Sequence, residues 1–187
     1  MTCLYANAQP FELGLSTGTS VNGTCQIDIG ADMAYIFSIA GGLDMGIGAG
    51  LKFARPIYKV THNDRFGRQY DEREYANELA VPFFGRIRYS IPNGVFFQAD
   101  AGYRIALVDL VWWFPGWNLS GEYFEPQVGY RLDTKRSLSI GASLQHCPCR
   151  DHITTESGSG ESYIMTGQES SVKIWRPVAF IKYSITL

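Results

Sequence analysis

The sequence lacks any apolar run that approaches the roughly 18 residues of a membrane-spanning helix. It also lacks a strong charge of either sign: the formal net charge is −2, which gives no reason to expect a nucleic-acid partner. Helical periodicity, in which apolar residues recur every three to four positions, is absent as well. These absences leave β-strands as the predicted secondary structure and an all-β chain as the fold class.

What the sequence does contain is alternation with a period of two, seen best in residues 43–53, LDMGIGAGLKF. All odd positions there are apolar, and all even positions are glycine, aspartate or lysine. Such a period predicts a strand with two unlike faces. The pattern recurs in eight segments, at residues 11–19, 26–37, 43–53, 78–90, 95–108, 122–132, 137–146 and 171–187.

The connections between these segments alternate in length. They are short after the second, fourth and sixth segments, and long after the third, fifth and seventh, at 55–77, 109–120 and 147–170. This alternation is typical of outer-membrane barrels, where all long loops lie on one rim. We therefore predict an eight-stranded antiparallel up-and-down transmembrane β-barrel, with apolar residues toward lipid and both termini on the rim of short turns.

One domain, residues 9–187, accounts for the whole pattern. Ala6-Asn7-Ala8 has the small-x-small form of a signal-peptidase site, so residues 1–8 are predicted to be the remnant of a signal peptide. Pro82 and Pro126 fall inside predicted strands, where each removes a ladder hydrogen bond, and Pro177 blurs the outer part of the eighth strand. We expect β-bulges at Pro82 and Pro126.

The inward positions of the predicted strands carry six acids and six bases. Isolated buried charges are costly, so these groups should pair. An eight-stranded barrel is just wide enough to be filled by side chains, which favours a salt-bridged plug over a selective pore or proton path. The predicted set is Glu12, Asp28, Asp32, Asp44, Asp100, Glu125, Lys52, Arg86, Arg88, Arg104, Arg131 and Lys182, and the predicted pairs are Arg104 with Glu125, Arg86 with Asp100, and Glu12 with Lys182.

The most unusual segment is the aromatic run in the second long connection. Trp112, Trp113, Phe114 and Trp117 fit a membrane-interface girdle or a loop folded over the rim. The alternative is a binding surface, either a stacking platform for sugar or a hydrophobic contact with a partner protein. The first long connection is different: residues 61–74 interleave charges, as expected of a solvated hairpin extension.

Three cysteines remain once Cys3 is assigned to the signal remnant, and an odd number provides no disulfide framework. We predict a disulfide from Cys25 to Cys147 or Cys149, because the first and last outer loops are neighbours across the barrel seam; free thiols are the alternative. His146, Cys147, Cys149 and His152 match no standard zinc motif, so no metal is predicted.

An enzyme is the second hypothesis, because a lipid-facing Ser/His/acid set can modify lipid. His146 has Ser143, Glu156 and Ser157 nearby in sequence, but nothing indicates a base oriented by a third group. We therefore predict no enzymatic activity and no cofactor. A third hypothesis is a soluble lipocalin-like barrel with the two faces reversed, apolar inside and charged outside.

The segments at 42–53, 79–91, 96–107, 123–132 and 137–144 resemble the small eight-stranded outer-membrane barrels of the OmpA/OmpX type, and more closely the outer-membrane β-barrel proteins common in Bacteroidetes. Residues 183–187, YSITL, resemble the C-terminal signal read by the barrel assembly machinery, although Leu187 stands where the family usually ends in Phe. The resemblance implies an outer-membrane location, contact with outer-membrane lipid and assisted insertion. It supplies no catalytic residues. The expected function is non-enzymatic: the long loops bind something outside, or the barrel is a subunit of a larger outer-membrane complex.

Overall fold

The protein is described from a computed structural model, which covers residues 8–21, 25–63, 69–75, 77–107, 120–157 and 164–187. Within these ranges the side chains of residues 8–10, 26, 40, 56–75 and 147–174 fall outside the description. The described strands are β1 (Ala8–Ser20), β2 (Cys25–Ala40), β3 (Leu43–Asn63), β4 (Gln69–Tyr75), β5 (Glu78–Ser90), β6 (Val95–Ala106), β7 (Gly121–Arg131), β8 (Arg136–Ser157) and β9 (Ile164–Thr186).

Eight of these strands form a closed antiparallel cylinder. Each of the eight pairs with the next one along the chain, and β3 pairs with β5 because β4 is not part of the cylinder. The β1–β9 ladder closes the wall. β4 pairs only with the outer part of β3, between Ile57 and Asn63. The prediction of an eight-stranded up-and-down barrel is therefore confirmed. The described part of the chain contains no helix long and apolar enough to cross a membrane.

The strand register fixes the tilt of the wall. Following paired residues once around the barrel from Phe53 on β3 leads back to β3 at Leu43, ten residues away. A displacement of ten residues over eight strands corresponds to a tilt of about 40° and a radius of about 8 Å, because stagger, tilt and size are linked. The intermediate pairs run through Ile29, Thr17, Ile181, Ile140, Val128, Phe97 and Tyr89.

Three short turns join β2 to β3, β5 to β6 and β7 to β8, and together they form what we call the short-turn rim. Gly41 and Gly42 have positive φ angles of 56° and 86°, so the first turn needs residues without a Cβ. Gly94 does the same in the second turn, with φ 89°. Leu187 donates its backbone N–H to Phe11 at 2.8 Å, so the β1 start and the β9 end meet at this rim.

The opposite rim, which we call the hairpin rim, carries longer strands than the alternation predicts. β8 and β9 stay paired in one unbroken register from Arg136↔Ile185 out to Ser157↔Ile164. The prediction of a loop at 147–170 is wrong over most of its length, because a Gly/Ser-rich composition hides a two-stranded ribbon. β3 and β4 form the hairpin extension expected of residues 61–74.

Pro82 and Pro126 are accommodated in the wall without the predicted bulges. At Pro82 the β3–β5 ladder omits two residue pairs and resumes in the same register, and at Pro126 the β7–β8 ladder does the same. Each proline still pairs in register on its other side, with Arg104 and Ala99 respectively. A missing donor thus interrupts the local ladder but does not require an inserted residue.

The two faces of the wall are unlike. Ile47, Met45 and Leu51 lie on the outer surface, and Ile47 is 67% exposed. Arg86, Asp100 and Arg104 lie inside and are at most 2% exposed. The predicted sidedness, apolar outside and ionic inside, is confirmed. It also contradicts the lipocalin-like hypothesis, which requires the reverse arrangement.

Candidate functional site

The barrel interior is the most densely functionalised part of the molecule. It contains seven carboxylates and six basic groups, which project inward from seven of the eight wall strands. All of them are largely shielded from solvent. The near balance matters, because an unpaired charge inside a narrow lumen would carry a large desolvation cost. The acids are Glu12, Asp28, Asp32, Asp44, Glu78, Asp100 and Glu125, and the bases are Lys52, Arg86, Arg88, Arg104, Arg176 and Lys182.

A middle cluster is built around Arg86, with Glu12, Asp32, Asp100 and Lys182 as its other members. Arg86 donates through Nε and Nη2 to the two Asp100 oxygens, both at 2.8 Å, a bidentate geometry that fixes the guanidinium plane. Its Nη1 lies 2.6 Å from Glu12 and its Nη2 lies 3.2 Å from Asp32. Lys182 approaches Asp32 at 2.6 Å. One arginine therefore ties β1, β2 and β6 to β5.

Toward the short-turn rim, Arg88 continues the network. It forms two 2.7 Å contacts with the Glu12 carboxylate, and its Nε donates to the Gln98 amide oxygen at 2.7 Å. At the rim itself, Arg131 donates to Ser90 at 2.9 Å and lies 3.6 Å from Asp44. The Arg131 side chain is 41% exposed, so it lies at the mouth rather than in the interior.

Toward the hairpin rim, an upper cluster consists of Lys52, Glu125 and Asp28. Lys52 bonds to Glu125 across the lumen and lies 4.0 Å from Asp28. Gln145 donates to Asp28 at 3.2 Å and accepts from Arg176 at 2.8 Å.

Glu78 closes the chain of contacts at the hairpin end. One of its oxygens bonds to Arg104 and the other lies 3.3 Å from Arg176. Ion pairs therefore occur along the length of the lumen.

Aromatic side chains fill the space that the ion pairs leave. The Arg86 guanidinium lies 5.0 Å from the Phe84 ring centroid, and Arg88 lies 4.8 Å from that of Phe96. Glycines make this possible: a Cβ built at Gly48 would contact the Phe84 ring, and one at Gly129 would contact the Phe96 ring. Glycine on the inner face thus gives each ring a place against the wall.

Two of the three predicted pairs are wrong. Arg86 does lie opposite Asp100, as predicted. Arg104 does not pair with Glu125: Arg104 bonds to Glu78, and Glu125 bonds to Lys52. In the β6–β7 ladder the residue opposite Glu125 is Asp100.

Glu12 lies opposite Thr186 rather than Lys182, and Lys182 lies opposite Ser16. The cause is the stagger of the wall, which offsets residues that a simple count from the turns places side by side. Glu78 and Arg176 were missed, although their alternation with Ala80 and Val178 marks both as inward positions.

The other predicted sites have mixed outcomes. Trp112, Trp113, Phe114 and Trp117 lie outside the described residues, and so do the side chains of Cys147, Cys149 and His152. The Cys25 thiol is free and buried, and donates to the Ile27 carbonyl at 3.0 Å. The disulfide predicted from Cys25 is not formed in this structure, and because the side chains of Cys147 and Cys149 lie outside the description it stays a prediction. Among the described side chains, no group of three or more His, Cys, Asp or Glu is arranged to hold a metal ion.

The residues nearest to a lipid-modifying set lie on opposite faces of the wall. Ser143 is buried in the lumen, where its hydroxyl accepts from Gln145 at 3.2 Å. His146 lies on the outer side and stacks on Trp175, with the ring centroids 5.0 Å apart. A residue separation of three places them on different faces, so His146 cannot activate Ser143 within this strand.

The outer wall is the second candidate site, and its aromatic residues concentrate toward the two ends of the strands. At the short-turn end they include Phe11, Tyr89, Phe97 and Tyr130, and at the hairpin end Phe53, Tyr103, Phe124 and Trp175. Phe11 also makes an edge-to-face contact with Tyr35 at 5.6 Å. Aliphatic residues such as Leu15, Ile140 and Ile181 occupy the zone between them.

The turn between β7 and β8 holds the clearest perturbed carboxyl outside the wall. Asp133 accepts the backbone N–H groups of Lys135 and Arg136 at 2.8 and 2.7 Å, and the Arg136 Nε at 2.6 Å. These donors stabilise the carboxylate, so the pKa of Asp133 lies below its usual range. This is a structural role, in which the carboxylate shapes a tight turn.

Comparison with known proteins gives no match, either to a family model or to a curated protein. The function must therefore be inferred from the geometry of this chain.

Proposed function

We propose that this chain is a non-enzymatic integral membrane β-barrel of the bacterial outer membrane, with both termini on the periplasmic side and a lumen plugged by ion pairs. In this proposal, outer-membrane lipid surrounds the wall, and the barrel assembly machinery inserts it. The OmpA/OmpX-like resemblance and the Bacteroidetes barrel family agree with this proposal. The observation that carries it is the pairing of an apolar outer wall with an ionic interior.

The dimensions of the outer wall support the proposal. On β5 the outward positions run from Leu79 to Tyr89, ten residues apart. At about 3.3 Å per residue and a tilt of about 40°, this segment rises about 25 Å along the barrel axis. An outer-membrane barrel has an apolar band of about 25 Å flanked by aromatic girdles. In water the same surface would be an exposed hydrophobic patch far larger than monomeric soluble proteins carry.

Cell fractionation tests this proposal directly. We expect the protein to sediment with the outer membrane, to need detergent for extraction, and to migrate faster on a gel when it is not boiled. Recovery in the soluble fraction without detergent, with unchanged migration on boiling, would rule the proposal out.

Ion conduction is the natural rival to a plug. The Arg86 cluster and the Lys52–Glu125 pair cross the lumen at successive levels, and an eight-stranded barrel leaves little space beside them. We therefore expect no single-channel currents from the purified protein in planar bilayers. Regular currents that persist after repurification would contradict the plugged lumen and would show that the barrel is a pore.

The hairpin rim is the proposed recognition surface, because two paired ribbons extend from it: β3 with β4, and the outer halves of β8 and β9. The aromatic segment with Trp112, Trp113, Phe114 and Trp117 lies in the sequence between the end of β6 and the start of β7, and both of these strand ends are at the same rim. We propose that these segments bind an external ligand or another outer-membrane protein, so that the barrel anchors a larger complex.

Purification from native membranes in mild detergent tests this recognition role. The experiment compares the full chain with a variant in which residues 147–174 are replaced by a short turn, and with a second in which residues 57–75 are shortened in the same way. A partner that is lost with one ribbon and kept with the other assigns the binding surface. A partner retained by both variants would contradict a role for the ribbons.

A further inference from the structure

A small, partly enclosed cavity separates the middle and upper clusters of the lumen. Its volume is about 10 Å³, and its lining includes Ser16, Asp32, Lys52, Asp100, Tyr123 and Glu125. Below it the Arg86 contacts fill the lumen, and above it Lys52 bonds to Glu125. The cavity is therefore polar, and it is bounded by ion pairs on both sides.

Two hydroxyls that line the cavity have no hydrogen-bond partner among the side chains that the structure describes. Tyr123 is 5% exposed, yet among the described residues neither its Oη nor the Ser16 Oγ hydrogen-bonds to another protein group. A buried hydroxyl without a partner is costly, and the great majority of buried polar groups avoid this state. The site therefore offers one buried hydroxyl, from Tyr123, and one half-buried hydroxyl, from Ser16, next to carboxylates that can accept further hydrogen bonds.

The clusters themselves are also unconnected at this level. No ion pair or hydrogen bond joins Asp32 or Asp100 to Lys52 or Glu125 in the described structure, although all four side chains line the same cavity. A single small molecule with both donors and acceptors would satisfy the hydroxyls and join the two clusters.

We propose that one ordered water molecule occupies this cavity and links the middle and upper clusters into one hydrogen-bonded network. A cavity of roughly 10–15 Å³ is the smallest that holds a water, and such waters typically make about three hydrogen bonds to otherwise unsatisfied groups. A metal ion fits less well, because the Lys52 ammonium already lines the site. The water is structural, and it requires neither a pore nor a particular membrane.

Removal of the tyrosine hydroxyl tests the proposal through the sign of its effect. If a water is bound, Tyr123→Phe deletes one of its partners, and the urea midpoint of unfolding should fall. If the cavity is empty, the same change removes an unsatisfied buried hydroxyl, and the midpoint should stay unchanged or rise. Tyr130→Phe on the outer wall, where the ring is exposed, is the matched control and should leave the midpoint unchanged. Ser16→Ala should lower it in the same direction as Tyr123→Phe.

A high-resolution crystal structure of the native protein gives an independent answer that does not depend on any variant folding. Density for a water within hydrogen-bonding distance of the Tyr123 Oη and at least one carboxylate would support the proposal. A cavity without density, or side chains that have closed it, would overturn it.

Discussion

The outer wall and the interior of this barrel are made from the same strands, yet they use opposite chemistry. On β5, Phe83 and Ile87 face outward and are about half exposed, while Arg86 and Arg88, at alternate positions of the same strand, face inward and are buried. In a soluble protein the apolar set would be the buried one. Alternation alone therefore identifies a strand, whereas the surroundings of the strand decide which of its two faces is buried.

The interior is where a single substitution should do most damage. Arg86→Met keeps an apolar stem but leaves Asp100, Glu12 and Asp32 without their shared cation. Removal of one partner from a buried ion pair costs about 3–5 kcal/mol, so we expect a loss of this size in the free energy of unfolding, measured by urea titration in detergent. Arg136→Met, at an exposed pair, is the control and should leave the free energy of unfolding nearly unchanged, because solvent screens such pairs. Equal losses for the two variants would show that the interior network is not special.

The outer wall should reject charge according to depth. Ile140→Arg places a cation in the middle of the proposed apolar band and should lower the free energy of unfolding in lipid vesicles by about 2–4 kcal/mol. Leu132→Arg, next to the short-turn rim, should cost about 0–1 kcal/mol. A wall that faces water would tolerate both substitutions equally, and that result would contradict the proposal that the outer wall contacts lipid.

Glycine distinguishes the two faces on a smaller scale. At Gly129, on the inner face, an added Cβ would overlap the Phe96 ring, whereas at Gly85, on the outer face, it would meet nothing closer than 4.0 Å. We expect Gly129→Val to lower the free energy of unfolding by about 1–3 kcal/mol through overpacking.

The matched variant Gly85→Val should be neutral or slightly stabilising, because a β-branched residue suits an open strand position. The urea midpoints of the two variants provide the comparison. A larger loss at Gly85 than at Gly129 would contradict the assignment of faces.

The smallest effect belongs to the turn outside the wall. The pKa of Asp133 is lowered in the folded state, so its contribution to stability is present above the ordinary Asp pKa of about 3.9 and is lost as pH falls through the folded pKa. Asp133→Asn should therefore remove a small part of the difference in stability between neutral and acidic pH. If the free energy of unfolding changes with pH by the same amount in the variant and in the unmodified protein, the carboxylate does not support the turn.

Much of the fold follows from local pattern. Period-two alternation located all eight wall strands and their faces, and residues such as Gly94 marked the turns. The ribbons were harder, because Cys147 and the residues beyond it show no clear alternation. Cross-lumen contacts were harder still: Lys52 meets Glu125 only because the ten-residue stagger brings β3 and β7 to the same height on opposite walls. The contact between Lys52 and Glu125 therefore depends on the closure of the barrel and cannot be predicted from the sequence of either strand alone.

The central claim is that the apolar face of the wall contacts lipid while the ionic face contacts only protein. Spin labels attached in a cysteine-free background at outward Ile140 and inward Ser139 test it in reconstituted bilayers. We predict that membrane-dissolved oxygen relaxes the label at residue 140 strongly, that a water-soluble nickel chelate does not, and that the label at residue 139 is shielded from both. Strong relaxation of the label at residue 140 by the nickel chelate would contradict the claim.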